Sequence, residues 1–96
     1  MKDFFVYILT DDHHDHFYVG MTSNVGRRMY EHQEGLISGY TKDHGIWKVV
    51  FLEHHETAES AIRREKLLKK WRRQWKIDLI AKHNPDWHDL YGSLNF

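Results

Sequence analysis

The stretch Ile62–Lys76, IRREKLLKKWRRQWK, carries eight Lys or Arg and a single acid, Glu65. A basic helix that only meets phosphates does not need the carboxylate, and an ordinary solvated helix carries more acids to pair with its lysines. Stepping by three and four along the helix expected from Thr57 gives apolar Ala58, Ala61, Ile62, Leu68 and Trp71, and Glu65 falls within that stripe. A carboxylate there must be paired, hydrogen-bonded or bound to a ligand, because burying a bare charge is costly. Periodicity leaves two readings open: an ion pair with Arg28 or another base, or a metal ligand or catalytic acid at the core's edge. DDHHDH, residues 11–16, gathers three His and three Asp and resembles a metal tract. A hairpin turn supplies little support for ligands, so adventitious nickel or zinc binding is the expectation there. The same holds for His54 and His55.

The elements that must position these residues follow from the chain's patterning. KDFFVYILT and HFYVGMT read as strands joined through the polar DDHHDH turn, hence a hairpin. SNVGRRMYEHQE reads as a helix with Ser23 or Asn24 as N-cap, placing Val25, Met29 and His32 on one side with Arg28 beside them. GLISGYTKDHG, with three glycines, reads as a loop, and IWKVVFLEHHE as the strongest strand. A helix begins at Thr57, breaks near Trp71, and resumes through WRRQWKIDLIAKHN until Pro85 disfavours helix at Asn84. The order β-β-α-β-α-α predicts an α+β fold with a small three-stranded, mostly antiparallel sheet flanked by helices. Trp71 and Trp75 are expected in the core.

Ninety-six residues suit one domain spanning 1–96, and 41% hydrophobic with 15% aromatic residues supports a modest core. The chain has no cysteine, which excludes a disulfide framework and a thiolate zinc site. No apolar run reaches membrane-spanning length, and MKDFFVYIL turns polar too soon for a signal peptide, so a soluble cytoplasmic protein is expected. Net charge is zero, but residues 1–61 hold five Lys/Arg against ten acids, residues 62–76 eight against one, and residues 77–96 one against three. The basic charge is focused on one segment, where it can still meet phosphates.

The motifs Val6-Tyr7-Ile8 and Tyr18-Val19-Gly20, then Arg28 ten residues after Tyr18, then His32 four residues later, resemble the GIY-YIG nuclease family. AESAIRREKLLKKW resembles that family's acidic-residue helix, with Glu65 in the place of its metal-binding Glu. The likeness runs through KIDLIAKHNPDW and is to the small stand-alone members, relatives of the excinuclease nuclease domain. Two positions depart from it: the first motif lacks the Gly that names it, and Met21 stands where excinuclease members have Lys.

The resemblance implies a metal-dependent endonuclease that hydrolyses DNA phosphodiester bonds in repair or recombination. It implies one divalent metal, Mg²⁺ or Mn²⁺, with Glu65 as its only protein ligand. Tyr18 would be the general base or relay a proton, and Tyr7 would pack against it or hydrogen-bond the water. Arg28 would clamp the scissile phosphate, and His32 would bond the phosphate or orient Tyr18. Gly20 would permit close packing at the site. Thr22 and Tyr40 would line the groove, and Asn84 would reach the substrate. Arg63, Arg64, Lys66, Lys69, Lys70, Arg72 and Arg73 are candidate backbone contacts with no base code, so structure rather than sequence would be read. Arg27 is expected to be solvated. A homodimer or protein partner would extend so small a binding surface. The rival expectations are a non-catalytic nucleic-acid-binding module on the same fold, and a protein-interaction domain.

Overall fold

The computed structural model describes residues 3–37 and 39–93. Three strands, β1 (Phe4–Thr10), β2 (Phe17–Thr22) and β3 (Lys48–His55), form one antiparallel sheet in the order β2-β1-β3. β1 is the central strand, and Val6 through Thr10 are buried on both faces, which is why its sequence shows an apolar run rather than alternation. β2 pairs with β1 alone, so its outer edge carries no strand among the described residues.

The two faces hold separate clusters. Val6, Ile8, Val19, Val50 and Phe51 pack under Ala61 and Leu68 of α3 (Ala58–Lys70) and Ile80 of α4 (Arg73–His83). Tyr7, Leu9 and Val49 pack on the opposite face with Met29 of α1 (Val25–Gln33) and Ile46. Val50 is the extra residue of a bulge where the register against β1 shifts between Ile8 and Leu9.

The helix ends follow their capping residues. Asn24 accepts from the Arg27 N–H, and Thr57 from the Ser60 N–H. The expected break near Trp71 is two extended residues, Trp71 and Arg72, with ψ of 148° and 152°. The expected loop at 35–45 contains a short helical turn, α2 (Tyr40–Asp43), framed by Gly39 and Gly45 at φ of 99° and 62°. Those backbone angles suit glycine, and they reverse the chain on either side of α2. A 3₁₀ turn, Leu90–Ser93, follows Pro85.

Several expectations are corrected. Trp75 is 49% exposed and not a core residue, whereas Trp71 packs against the α3/α4 cluster. The two indoles meet edge to face at 6.0 Å. Ile62, counted in the apolar stripe of α3, is exposed, and the stripe centres on Ala61 and Leu68 with Glu65 at its border. Two of the supposed phosphate-binding arginines are engaged within the fold. Arg64 donates to Glu53 at 3.1 Å and lies over Trp71. Arg73 donates to the carbonyls of His14 and Asp15 at 2.7 and 2.6 Å and lies over Phe17, tying α4 to the hairpin turn.

Asn84 is buried. Its amide donates to the Val50 and His88 carbonyls, and its carbonyl accepts from the His88 N–H, so it joins the exit of α4 to β3. Removing it leaves the Val50 carbonyl without this donor in a buried setting. Asn84→Ala is therefore expected to cost about 1–3 kcal/mol in chemical denaturation. An unchanged midpoint would show that these bonds do not hold the fold.

Candidate active site

Tyr7 stands directly opposite Gly20 in the β1–β2 register. A Cβ at position 20 would lie 2.5 Å from both Cζ and Oη of Tyr7. The phenol therefore lies across the Gly20 backbone and reaches toward the free edge of β2, and any side chain at 20 would displace it. The glycine of the YVG motif makes room for the tyrosine of the VYI motif.

Around that phenol side chains from three further elements converge. Tyr7 Oη is 3.3 Å from His32 Nε2 on α1, and the two rings meet edge-on at 5.8 Å. Tyr18, from β2, completes a triangle at 6.3 Å from Tyr7 and 5.8 Å from His32. Arg28, one turn before His32, faces the phenol and favours its ionised form. Glu65, from α3, is close enough to disfavour it. Burial pushes the Tyr7 hydroxyl up to about 12, Tyr18 and Glu65 add to the shift, and Arg28 opposes it. Tyr7 is a neutral hydrogen-bonding phenol at physiological pH.

His32 is also neutral: burial lowers it to about 4, Arg28 adds to the shift, and Glu31 opposes it. Its Nδ1 is buried without a partner. If Nε2–H donates to Tyr7 Oη, the phenol keeps its own proton for a substrate oxygen or water. The opposite tautomer leaves a buried N–H unmet at Nδ1.

Arg28 does not pair with Glu65. Its Nε lies 3.4 Å from Glu31 instead. Glu65 is 19% exposed and meets Lys69, one turn along α3, at 3.6 Å. A helix pair of that kind contributes about 0.3–0.5 kcal/mol, so the carboxylate is not consumed by structure. No group of three or more His, Asp or Glu among the described residues converges to form a closed metal cage. A single open carboxylate fits Mg²⁺, which keeps several waters and is commonly held by one or two carboxylates and substrate phosphates.

The remaining expected residues are spread more widely. Thr22 Oγ1 accepts from the Asn24 N–H at 3.0 Å and donates to its carbonyl, shaping the entry to α1. Tyr40 packs on His44 at 4.3 Å and near His16, beside the hairpin turn and not within the Tyr7 group. Arg63 is exposed on α3. Asn84 lies against β3, bonded to Val50 and His88 rather than to any member of the cluster. In the DDHHDH turn, Asp11 holds His16 at 2.8 Å, Asp12 accepts from the Trp47 indole, and His14 stacks on Trp87. Sequence reasoning missed Glu31, which touches both Arg27 and Arg28. Its signal was the spacing RRxxE, which sets an acid three and four residues after two arginines on one helix.

A family model of the GIY-YIG catalytic domain matches residues 3–78. A UPF0213 protein of Clostridium perfringens is 35% identical over 77 residues, covering 80% of this chain and 82% of that one. A UPF0213 protein of Syntrophus aciditrophicus is 37% identical over 70 residues, covering 72% of this chain and 79% of that one. The solution NMR structure of a UPF0213 protein from Bacillus halodurans superposes with a TM-score of 0.59 at 28% identity, covering 91% and 92% of the two chains. The chain belongs to the GIY-YIG family, a family of nucleases, and is one of its small members. No helix among the described residues is long and apolar enough to cross a membrane.

The lowered His32 predicts an acid-side loss of stability. Its folded value of about 4 lies below the ordinary 6.5, so the unfolded chain takes the proton first as pH falls. The contribution is whole above about pH 6.5 and is lost as pH drops toward 4, by at most about 3 kcal/mol. Urea midpoints measured across that range are expected to fall for the wild type and to fall less for His32→Gln. Equal slopes would contradict the assignment.

Proposed function

We propose that this protein is a divalent-metal-dependent endonuclease that hydrolyses DNA phosphodiester bonds. The observation that carries the reading is the convergence on one phenol of Tyr18, Arg28, His32 and Glu65, from three different elements, with Glu65 left open to a cation.

Each residue has a task in that reading. Arg28 binds a non-bridging oxygen of the scissile phosphate and offsets its growing charge. Tyr7, whose hydroxyl burial pushes up to about 12, donates a hydrogen bond to the phosphate or the attacking water. Tyr18 is the phenol less enclosed by the core and takes the proton of that water, directly or by relay. His32 fixes Tyr7 and, through it, the geometry of the pair. Glu65 would hold Mg²⁺ or Mn²⁺, which when bound would relieve phosphate charge and make water a better nucleophile.

The exposed cations of α3 and its exit, Arg63, Lys66, Lys69, Lys70 and Arg72, suit the DNA backbone. They offer no array of base-reading groups, which supports selection of DNA structure over sequence. Such selectivity agrees with a role in repair or recombination, in the cytoplasm. A second copy or a protein partner would extend the modest basic surface.

Supercoiled plasmid and a panel of forked and branched oligonucleotides, incubated with Mg²⁺, Mn²⁺ or EDTA, test this reading. Cleavage is expected with metal only, and to fall at least about 100-fold in Glu65→Ala, given the several kcal/mol a bound metal contributes. Intact substrates throughout, with both proteins still binding DNA, would make the fold a nucleic-acid-binding module instead.

A further inference from the structure

Beside the Tyr7 cluster lies a polar cleft lined by Thr22, Ser23, Asn24, Arg27, Arg28 and Glu31. One carboxylate organises it. Glu31 Oε2 is 3.4 Å from Arg27 Nε, and Glu31 Oε1 is 3.4 Å from Arg28 Nε. The spacing explains the sharing, because residue 31 is four positions beyond 27 and three beyond 28, and so sits between them on the next turn. Both guanidinium groups approach the acid through Nε. That leaves the two Nη groups at the end of each fork as the groups nearest to free donors. Arg28 lies close enough to Tyr7 to favour its ionised form. Arg27, 75% exposed, has no other partner among the described residues.

Two of the backbone donors at the cleft are already engaged. The Arg27 N–H is capped by Asn24, and the Asn24 N–H by Thr22. The charged donors of the cleft are the arginine side chains, and the ligand that two end-on guanidinium forks match is a pair of phosphate oxyanions.

We propose that Arg27 binds the phosphodiester next to the scissile one, so that the cleft grips two consecutive phosphates of one strand, with Glu31 as the positioning residue that sets both forks. The inference rests on the nuclease reading of Arg28 and assigns Arg27 a task distinct from general surface charge. It makes cleavage depend on a phosphate on one particular side of the cut.

The test is the salt dependence of DNA binding, measured by fluorescence anisotropy in EDTA so that no substrate is cut, on a forked duplex. Removing one Arg–phosphate pairing lowers the slope of log K against log salt by about 0.9 on duplex DNA. Arg27→Ala and Arg28→Ala are each expected to lower it by about that amount, and Arg27→Lys to retain the wild-type slope. Glu31→Gln touches no phosphate and is expected to keep the slope but to bind more weakly at a given salt, because both forks lose their brace; unchanged affinity would remove the positioning role. A purely structural Arg27 would shift the thermal midpoint and leave the slope alone. If Arg28→Ala lowers the slope and Arg27→Ala does not, the second phosphate site is overturned and the nuclease reading stands. If neither changes it, DNA is not bound at this cleft and both fall.

Discussion

The site depends on one close approach, the Tyr7 phenol laid across the backbone of Gly20. A side chain on the central strand of a sheet ordinarily ends in the cluster beneath the covering helix. Tyr7 belongs to such a cluster, but the missing Cβ on the edge strand also lets its ring lie over the neighbouring strand. There its hydroxyl meets a histidine from α1, on one face, and feels a carboxylate from α3, which packs on the other. A hydrogen-bonded strand pair thereby joins two helices that do not share a core cluster. The central strand is buried on both sides, so this margin is where groups from both faces can meet near solvent.

The electrostatics follow from that placement. Burial keeps the phenol and the imidazole uncharged, so the pair can lie at the core's edge without a buried ion. The charged groups stand farther out: Arg28 braced by Glu31, and Glu65 loosely paired with Lys69. An uncharged inner layer that fixes geometry, with charges outside it that can exchange partners, would suit the proposed activity, in which a phosphate and a cation are taken together. The unpartnered Nδ1 of His32 is a departure from full satisfaction of buried polar groups. Such departures concentrate where function competes with stability.

Much of this was legible in the sequence. Apolar β-branched and aromatic runs marked the three strands, Asn24 and Thr57 marked helix starts, and two extended residues interrupt the helix where the pattern faltered at Trp71. The four-residue spacing of Arg28 and His32 guaranteed a shared helix face, and the three-four stepping put Glu65 at the core border. What escaped depended on tertiary partners. Trp75 is a large aromatic at a helix position that meets no second layer. Arg64 and Arg73 look like surface charge in a basic run, but an acid on β3 and two turn carbonyls, distant in sequence, claim them. The amide of Asn84 is held by a β3 carbonyl thirty-four residues earlier in the chain. No local pattern reports such partners.

The Gly20→Ala variant tests the central close approach most directly, with its unfolding free energy and its cleavage rate measured on the same preparation. The account predicts a fold destabilised by about 1–3 kcal/mol as the Tyr7 ring is forced aside, together with slower cleavage in the fraction that remains folded. Wild-type stability with wild-type cleavage would contradict it, because the phenol would then have no need of the space that the glycine leaves.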